Sequence, residues 1–338
     1  MRRDEMIVKQ RKIPLTILKL QALLRRLPSN HIKVPIITED LKKRMAGYKG
    51  ECSLDYQFSF LDTKHFFILH DLRLPDDNRY FQMDSVLLSR KMCLIIEVKN
   101  IAGSLLFDPV FKQLIRTKDG KEMAFSDPIT QAERHEAQLK TWFQNNRLPQ
   151  IPICSLVVIS NPQSIIRSTT QNHLIRRKVI HLDILANKIE EIENSNSHPV
   201  LEEKEIKKIT RHFLKQHTEL DPSIGETYNI SKEEFVKGVI CPNCNHPSMI
   251  KKHGASWYCP KCSLISQNAH LPAIRDYQLL IGNTIANSQL RDFLQIHSSA
   301  AATRIFQTLM FKYTGTRKNR VYTISSLDNF EFHFKQKS

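Results

Sequence analysis

The stretches FQMDSVLL, residues 81 to 88, and CLIIEVK, residues 93 to 99, decide the fold class of this chain. Both are short, apolar-rich runs separated by a few residues, which predicts two strands joined by a short turn. Because successive side chains of a strand point to opposite faces, Glu97 and Lys99 share one face of the second strand. Asp84 has 12 residues between it and Glu97, and antiparallel pairing of the two strands places these carboxylates side by side.

The neighbouring segments predict helices around a sheet. One helix is predicted to begin at Thr38 and to carry Glu51, and a second to run from Pro128 to about Asn146. Further strands are predicted over residues 66 to 69, 104 to 107 and 156 to 159. This order of elements indicates one α/β domain over residues 38 to 165.

The predicted pair of carboxylates favours a metal site. Asp84 and Glu97 repel one another unless a cation lies between them, and hard oxygen ligands suit Mg²⁺ or Mn²⁺. Such a metal supplies a nucleophilic water for phosphodiester hydrolysis, and Lys99 is placed to orient that water or offset charge. The alternative is structural: Asp84 is an edge carboxylate, and Glu97 pairs with Lys99 on a half-exposed strand.

Five motifs, in order, resemble the nuclease-related domain, NERD, of the PD-(D/E)XK phosphodiesterase superfamily. They are GYKGE at residues 47 to 51, HDLRLP at 70 to 75, FQMDSVLL at 81 to 88, LIIEVKNIAGSL at 94 to 105 and DPITQAERHEAQL at 127 to 139. The resemblance implies a mixed sheet flanked by helices. It also implies a catalytic set, which here comprises Glu51, Asp84, Glu97, Lys99 and Gln131, with Asp84 and Glu97 as the magnesium ligands.

Three other residues near these motifs have structural interpretations. Gly50, next to Glu51, is expected to be a close packing point of its helix. His70 and His135 are each either a metal ligand or a satisfied structural histidine, and single histidines are more commonly structural.

Two cysteine pairs predict a zinc site. CPNC at residues 241 to 244 and CPKC at residues 259 to 262 have the spacing of a four-cysteine tetrahedral site, and they resemble the knuckles of a topoisomerase-type zinc ribbon. The ligands are Cys241, Cys244, Cys259 and Cys262, and the alternatives are a redox pair or free thiols. The ribbon either contacts DNA, with Lys251, Lys252, Lys261 and Trp257 as its surface, or braces its neighbours.

The remaining C-terminal residues predict a helix-turn-helix with a basic wing. Ser288 is a helix start, Ser298 or Ser299 starts a second helix that ends near Leu309, and residues 313 to 323 form the wing. The candidate nucleic-acid contacts are Thr303 and Arg304 on the second helix and Arg317, Lys318 and Arg320 in the wing. The alternative is a small helical cap with a solvated run of charge.

The charge balance agrees with a polyanionic partner. The chain has a net charge of +16, and residues 241 to 338 contribute 12 basic against 4 acidic residues, half of the excess. An odd number of cysteines, 7, argues against a disulfide framework and for a reducing, cytoplasmic location. No apolar run reaches the length of a spanning helix.

The domain organisation follows from these assignments. The predicted parts are an amphipathic helical segment at 1 to 37, the α/β domain at 38 to 165, a mainly helical extension at 166 to 217, a linker at 218 to 240, the zinc ribbon at 241 to 268 and the winged-helix-like module at 270 to 338. The first segment has an apolar stripe at residues 17, 20, 24 and 27. This stripe predicts a helix that either docks on the following domain or lies on a membrane surface.

The expected function is a Mg²⁺-dependent nuclease that processes DNA, held on its substrate by the ribbon and the basic C-terminal module. No small-molecule cofactor is expected. The alternative is a non-catalytic nucleic-acid-binding protein built on a nuclease-like scaffold.

Overall fold

The computed structural model describes residues 6–62, 65–168, 173–196, 198–252, 256–316 and 319–324. The chain divides into two compact units. The first unit comprises residues 1–13 and 43–220, and the second comprises residues 14–42 and 221–338. Within the described residues, no helix is long and apolar enough to cross a membrane.

Strands and helices are numbered in chain order. The strands are β1 Ile7–Lys9, β2 Phe67–Asp76, β3 Arg79–Leu88, β4 Cys93–Lys99, β5 Ser104–Asp108, β6 Gln113–Lys118, β7 Lys121–Ser126, β8 Ile153–Ile159, β9 Ile165–Ser168, β10 Val179–His181, β11 Ile250–Lys251, β12 Trp257–Tyr258, β13 Ile265–Ser266, β14 Thr284–Ala286, β15 Lys312–Thr314 and β16 Val321–Thr323. The helices are α1 Leu15–Arg26, α2 Val34–Cys52, α3 Leu54–Phe58, α4 Pro128–Asn145, α5 His173–Lys178, α6 Leu185–Ser195, α7 Glu203–Gln216, α8 Ile224–Tyr228, α9 His270–Leu280, α10 Asn287–Leu294 and α11 Ser299–Thr308.

A six-stranded mixed sheet forms the centre of the first unit, in the order β1-β2-β3-β4-β8-β10. The strands β2, β3 and β4 are antiparallel, whereas β8 and β10 continue from β4 in parallel. Helices α4 and α7 pack on one face and α3 and α6 on the other. The predicted mixed α/β fold is therefore confirmed.

Both faces of β4 are covered, because six of its seven residues are buried. Leu94, Ile96 and Val98 belong to the core on the α3 and α6 side, and Ile95 belongs to the core on the α4 side. Glu97 alternates with the first set and therefore lies on the α4 side. The structural alternative, in which this strand is half-exposed, is therefore wrong.

A second sheet, β7-β6-β5-β9, was only partly predicted. Strand β5 was expected from the sequence, whereas the β6–β7 hairpin was not. Asp119 and Gly120 both have positive φ, +52° and +73°, as a tight two-residue hairpin turn requires. An Asp-Gly pair between apolar-polar runs is a strong hairpin signal. The β6–β7 hairpin could therefore have been predicted from the sequence.

The predicted N-terminal boundaries differ from the structure. Helix α2 begins at Val34 instead of Thr38. The segment 1 to 37 does not form one part, because β1 pairs with β2 of the first unit while α1 packs in the second. The predicted linker, 218 to 240, contains α8 and contributes Ile224, Ile230 and Phe235 to a core with α1.

Helix α1 belongs to the second unit, whereas the prediction assigned it to the α/β domain that follows it in sequence. Arg26 and Asp276 of α9 are each 1% exposed, and Arg26 Nε donates to Asp276 Oδ2 at 2.8 Å. Arg25 Nη2 donates to the other oxygen of Asp276 at 2.6 Å. Arg26 also donates to the carbonyl of Gly238 at 2.8 Å. The membrane-surface alternative needs basic residues of α1 to face lipid headgroups. Arg25 and Arg26 instead pair with Asp276.

The C-terminal part of the second unit has the element order of a winged helix. Helix α9, strand β14, helices α10 and α11, and strands β15 and β16 follow one another, and the sheet order is β14-β16-β15. The Ser298 side chain accepts a hydrogen bond from Ala301 N and caps α11, as predicted. The small sheet β11-β12-β13 precedes this fold and carries the cysteine pairs.

Candidate active site and metal centre

The register of β3 and β4 brings Asp84 and Glu97 together. Ser85 pairs with Ile96, which places the two acids next to one another on adjacent strands. Asp84 Oδ2 accepts a hydrogen bond from the backbone N–H of Val98 at 2.8 Å. Burial raises the pKa of Asp84 well above its usual value, and the charges of Glu97 and Glu51 raise it further. Burial and the charges of Glu51 and Glu97 therefore disfavour a charged Asp84 unless a cation lies beside it.

Lys99 connects the strand to helix α4. Its Nζ donates to Glu97 Oε1 at 2.7 Å and to Gln131 Oε1 at 3.1 Å. Gln131 is placed there because Asp127 caps α4, its carboxylate accepting from the N–H groups of Ile129 and Thr130. The structure thus joins three of the residues implied by the motif resemblance through direct hydrogen bonds.

Glu97 retains one oxygen for a ligand. Its Oε2 is buried and has no hydrogen-bond partner among the described residues. His135 Nδ1 lies 3.8 Å from this oxygen. It too is buried and has no hydrogen-bond partner among the described residues. A buried carboxylate oxygen without a partner is costly. A divalent cation on the Asp84 side would satisfy it, and the carboxylate donor set of Asp84 and Glu97 fits Mg²⁺ or Mn²⁺.

Glu51 lies at the end of α2 and has a partner that was not predicted from the sequence. Arg11, two residues beyond β1, places Nη1 3.2 Å from Glu51 Oε2. Burial raises the pKa of Glu51, and the charge of Arg11 acts in the opposite direction. Asp71, which also raises the pKa of Glu51, is a second acid that the motifs did not single out.

The protonation state of His70 follows from its neighbours. Arg11 Nη2 lies 2.8 Å from His70 Nδ1, and a guanidinium has only donors, so Nδ1 is the acceptor and carries no proton. Burial, followed by the charges of Arg11 and Lys9, lowers the pKa of His70 to about 3. Its Nδ1 is therefore occupied, which supports the structural interpretation of this histidine.

Gly50 is a close packing point, as predicted. A Cβ atom at this position would lie 2.6 Å from Asn100 Cβ and 2.8 Å from Ser160 Oγ. Asn100 follows directly on β4, so the contact brings the Glu51 end of α2 against the end of the strand that carries Glu97.

The order and geometry of these residues agree with one family. Residues 46–160 match the family model of the nuclease-related domain, NERD. This segment is similar to a nuclease-related domain. The match covers about one third of the chain and includes all five of the acidic-site residues from Glu51 to Gln131. The chain has no significant match among curated proteins or solved structures.

Beyond the nuclease-related domain, the four cysteines converge. Cys241 Sγ lies 3.5 Å from Cys262 Sγ, and Cys244 Sγ lies 3.6 Å from Cys259 Sγ. All four sulfurs are within 4.8 Å of one another, and they form the one group of three or more potential ligands found within the described ranges. Sulfurs held about 2.3 Å from a tetrahedral zinc lie about 3.8 Å apart, so the cluster fits that ion.

Each cysteine pair has the backbone of a metal-binding knuckle. Asn245 N donates to Cys241 O, and Ser263 N donates to Cys259 O, at 2.9 and 2.8 Å. Asn245 and Ser263 both have positive φ, +54° and +60°. The Leu264 N–H is the largest cause of a lowered pKa at Cys262, which favours the thiolate that a metal requires.

Trp257 is not a surface aromatic, contrary to the prediction. It is fully buried, stacks on His270 of α9, and donates its indole N–H to His270 Nδ1 at 3.1 Å. Cys241, Cys259 and Trp257 belong to the same hydrophobic core as Leu290 and Phe306 of the winged helix. The cysteine pairs therefore share one core with α10 and α11.

The predicted nucleic-acid contacts of the C-terminal fold differ in exposure. Arg304 is exposed on α11. Thr303 is half-buried, and its hydroxyl accepts from Asn287 Nδ2 and donates to Ser299 O, at 3.1 and 3.0 Å. Arg320 lies in the wing with its guanidinium 4.0 Å from the Tyr313 ring centre. Arg317 and Lys318 lie outside the described residues.

Proposed function

We propose that this protein is a metal-dependent nuclease that cleaves DNA. The observation that carries this proposal is the arrangement of Asp84 beside Glu97 on adjacent strands, with Lys99 bonded to both Glu97 and Gln131. These groups lie inside the segment that matches the nuclease-related domain.

The proposed metal ligands are Asp84 and Glu97. A Mg²⁺ or Mn²⁺ held by these two carboxylates would supply a more acidic water and would offset charge on the scissile phosphate. Lys99 orients the nucleophile from the Glu97 side, and Gln131 fixes the direction of the Lys99 side chain through the 3.1 Å hydrogen bond. Glu51 is the catalytic acid on α2, and its carboxylate is oriented by the ion pair with Arg11.

The second unit is proposed to hold the nucleic acid. In a helix-turn-helix, the second helix enters the major groove of DNA, and here that helix is α11 with the exposed Arg304. Thr303, Arg317, Lys318 and Arg320 remain proposed contacts. One Zn²⁺ bound by the four cysteines would stabilise the ribbon, and through the shared core the winged helix.

The test is a cleavage screen over duplex, single-stranded and branched DNA and the corresponding RNA, with Mg²⁺ and with Mn²⁺. Wild-type protein is expected to cleave at least one DNA form, and Glu97→Gln to remove cleavage while nucleic-acid binding is retained. Cleavage by the variant at the wild-type rate would refute the assignment.

A second candidate is a non-catalytic nucleic-acid-binding protein. The observation that favours it is the winged-helix order of the second unit, which provides for binding without any turnover at the acidic site. Binding of DNA together with complete stability of every substrate under both metals would select this alternative.

A further inference from the structure

A positively charged side chain beside the acidic site, that of Arg11, comes from outside the segment that matches the nuclease-related domain. Strand β1 extends the central sheet by pairing in parallel with β2. Lys9 anchors this edge, because its Nζ donates to the carbonyls of His70 and Asp71 at 2.8 and 3.0 Å. Two residues beyond β1, the Arg11 side chain reaches Glu51 at the end of α2.

The Arg11 side chain is 5% exposed and makes contacts with four different elements. Nη1 donates to Glu51 Oε2 of α2 at 3.2 Å, and Nη2 lies 3.5 Å from Asp55 Oδ1 of α3. Nη2 also lies 2.8 Å from His70 Nδ1 of β2 and 3.3 Å from Ser85 Oγ of β3. A guanidinium with this many partners has one conformation, and it fixes the groups that accept from it.

Ser85 directly follows Asp84 in β3. Arg11 therefore binds the helix-borne acid and a residue adjacent to the first strand acid. Glu51, Asp84 and Glu97 do not form a compact group of metal ligands within the described part of the chain. The Glu51 carboxylate pairs with Arg11, so Glu51 is held by a side chain and not placed as a third ligand.

We propose that Arg11 is a positioning residue of the candidate nuclease site: it fixes the Glu51 carboxylate at the end of α2, and residues 7 to 11 are therefore part of the catalytic unit. This inference rests on the proposed nuclease function. Arg11 is too deeply buried to contact a phosphate, and it acts through Glu51.

The role predicts a specific coupling between two variants. Arg11→Ala and Glu51→Gln should each lower kcat by about 10–100-fold, the range found when a supporting partner of a site is removed. The double variant should lose no more than the worse single variant, because both changes disable the same carboxylate. KM for the cleaved DNA and Mn²⁺ affinity should change less than threefold, since Asp84 and Glu97 are retained.

Two controls separate positioning from folding. Lys178→Ala removes another largely buried ion pair of the same unit, Lys178 Nζ to Glu136 Oε1 at 2.8 Å, and should leave kcat within threefold of wild type. Guanidinium ion added to Arg11→Ala should restore part of kcat, but not that of Glu51→Gln. Arg11→Lys keeps the positive charge but lacks the planar guanidinium with its several donors, so its kcat should be intermediate. This variant tests the role if Arg11→Ala does not fold.

The experiment is therefore cleavage of a DNA substrate by wild type, Arg11→Ala, Arg11→Lys, Glu51→Gln, the double variant and Lys178→Ala, with thermal unfolding measured on each. Full activity of a folded Arg11 variant, or losses that multiply in the double variant, would overturn the positioning role while leaving the nuclease proposal intact. A wild-type protein that cleaves no substrate would overturn both.

Discussion

The indole N–H of Trp257 donates to Nδ1 of His270 at 3.1 Å, and the two rings stack. This contact joins the cysteine ribbon to the first helix of the winged helix inside one hydrophobic core. A metal held by the cysteines would therefore stabilise more than the small sheet that carries them, since metal binding and folding are coupled.

Removal of the metal should loosen both parts of this core. Cys259→Ser, or chelation of the wild type, is expected to lower the unfolding temperature of the second unit and to expose Trp257. The measurement is tryptophan fluorescence during thermal unfolding in a Trp142→Phe background, because Trp142 and Trp257 are the two tryptophans of the chain, with bound zinc measured on each sample. Cys52→Ser is the control and should keep the zinc content. An unchanged transition after zinc loss would contradict the shared core.

The buried pair of Arg26 and Asp276 should be a major support of the second unit. Asp276→Asn leaves Arg26, 1% exposed, without a compensating charge, and should cost about 3–5 kcal/mol in the free energy of unfolding. Asp292→Asn is the matched control, because the Lys237–Asp292 pair is exposed, and should cost less than about 1 kcal/mol. Chemical denaturation compares the two, and equal losses would show that burial of the pair is unimportant.

Two glycines in α2 give a paired test of the packing beside Glu51. Gly50→Ala forces Cβ against Asn100 and Ser160 and should destabilise the protein by about 1–3 kcal/mol. Gly47 has open space where a Cβ atom would lie, so Gly47→Ala should be neutral or stabilising by up to about 1 kcal/mol. Unfolding free energies of both variants decide the matter. A neutral Gly50→Ala would remove the close-packing argument.

Binding of DNA by α11 should depend on Arg304. Arg304→Ala is expected to weaken DNA affinity and to reduce the slope of log affinity against log salt by about 1, because one phosphate contact is lost. Lys232→Ala removes one exposed charge elsewhere in the same unit and should leave the slope unchanged. Fluorescence anisotropy across a salt series measures both, and identical slopes for Arg304→Ala and wild type would exclude this contact.

The placement of Asp84 beside Glu97 could be predicted from the sequence because strand alternation and register are local rules. Once β3 and β4 pair around Ser89, Asp84 must lie beside Glu97. Arg11 was not predicted because it is one of several basic residues in KQRK, residues 9 to 12, and only pairing of β1 with β2 selects it. Such long-range pairing leaves no periodic signal in a three-residue strand.

The C-terminal fold shows the same contrast. The spacing of α10 and α11 and the Ser298 cap of α11 follow from local sequence. The predicted start at Ser288 is wrong, because α10 begins at Asn287 with Ala286 as its N-cap. Burial of Trp257 and docking of α1 on α9 depend on tertiary contacts. The sequence analysis therefore placed Trp257 on a surface and docked α1 on the wrong part of the chain.

The most direct test of the central claim is the cleavage rate of DNA by wild type and Glu97→Gln at saturating Mn²⁺, with DNA binding measured on the same samples. We expect wild-type cleavage that stops when the metal is removed, and no detectable cleavage by Glu97→Gln at unchanged DNA affinity. Metal-independent cleavage, or equal rates for the two proteins, would contradict a nuclease centre at Asp84, Glu97 and Lys99.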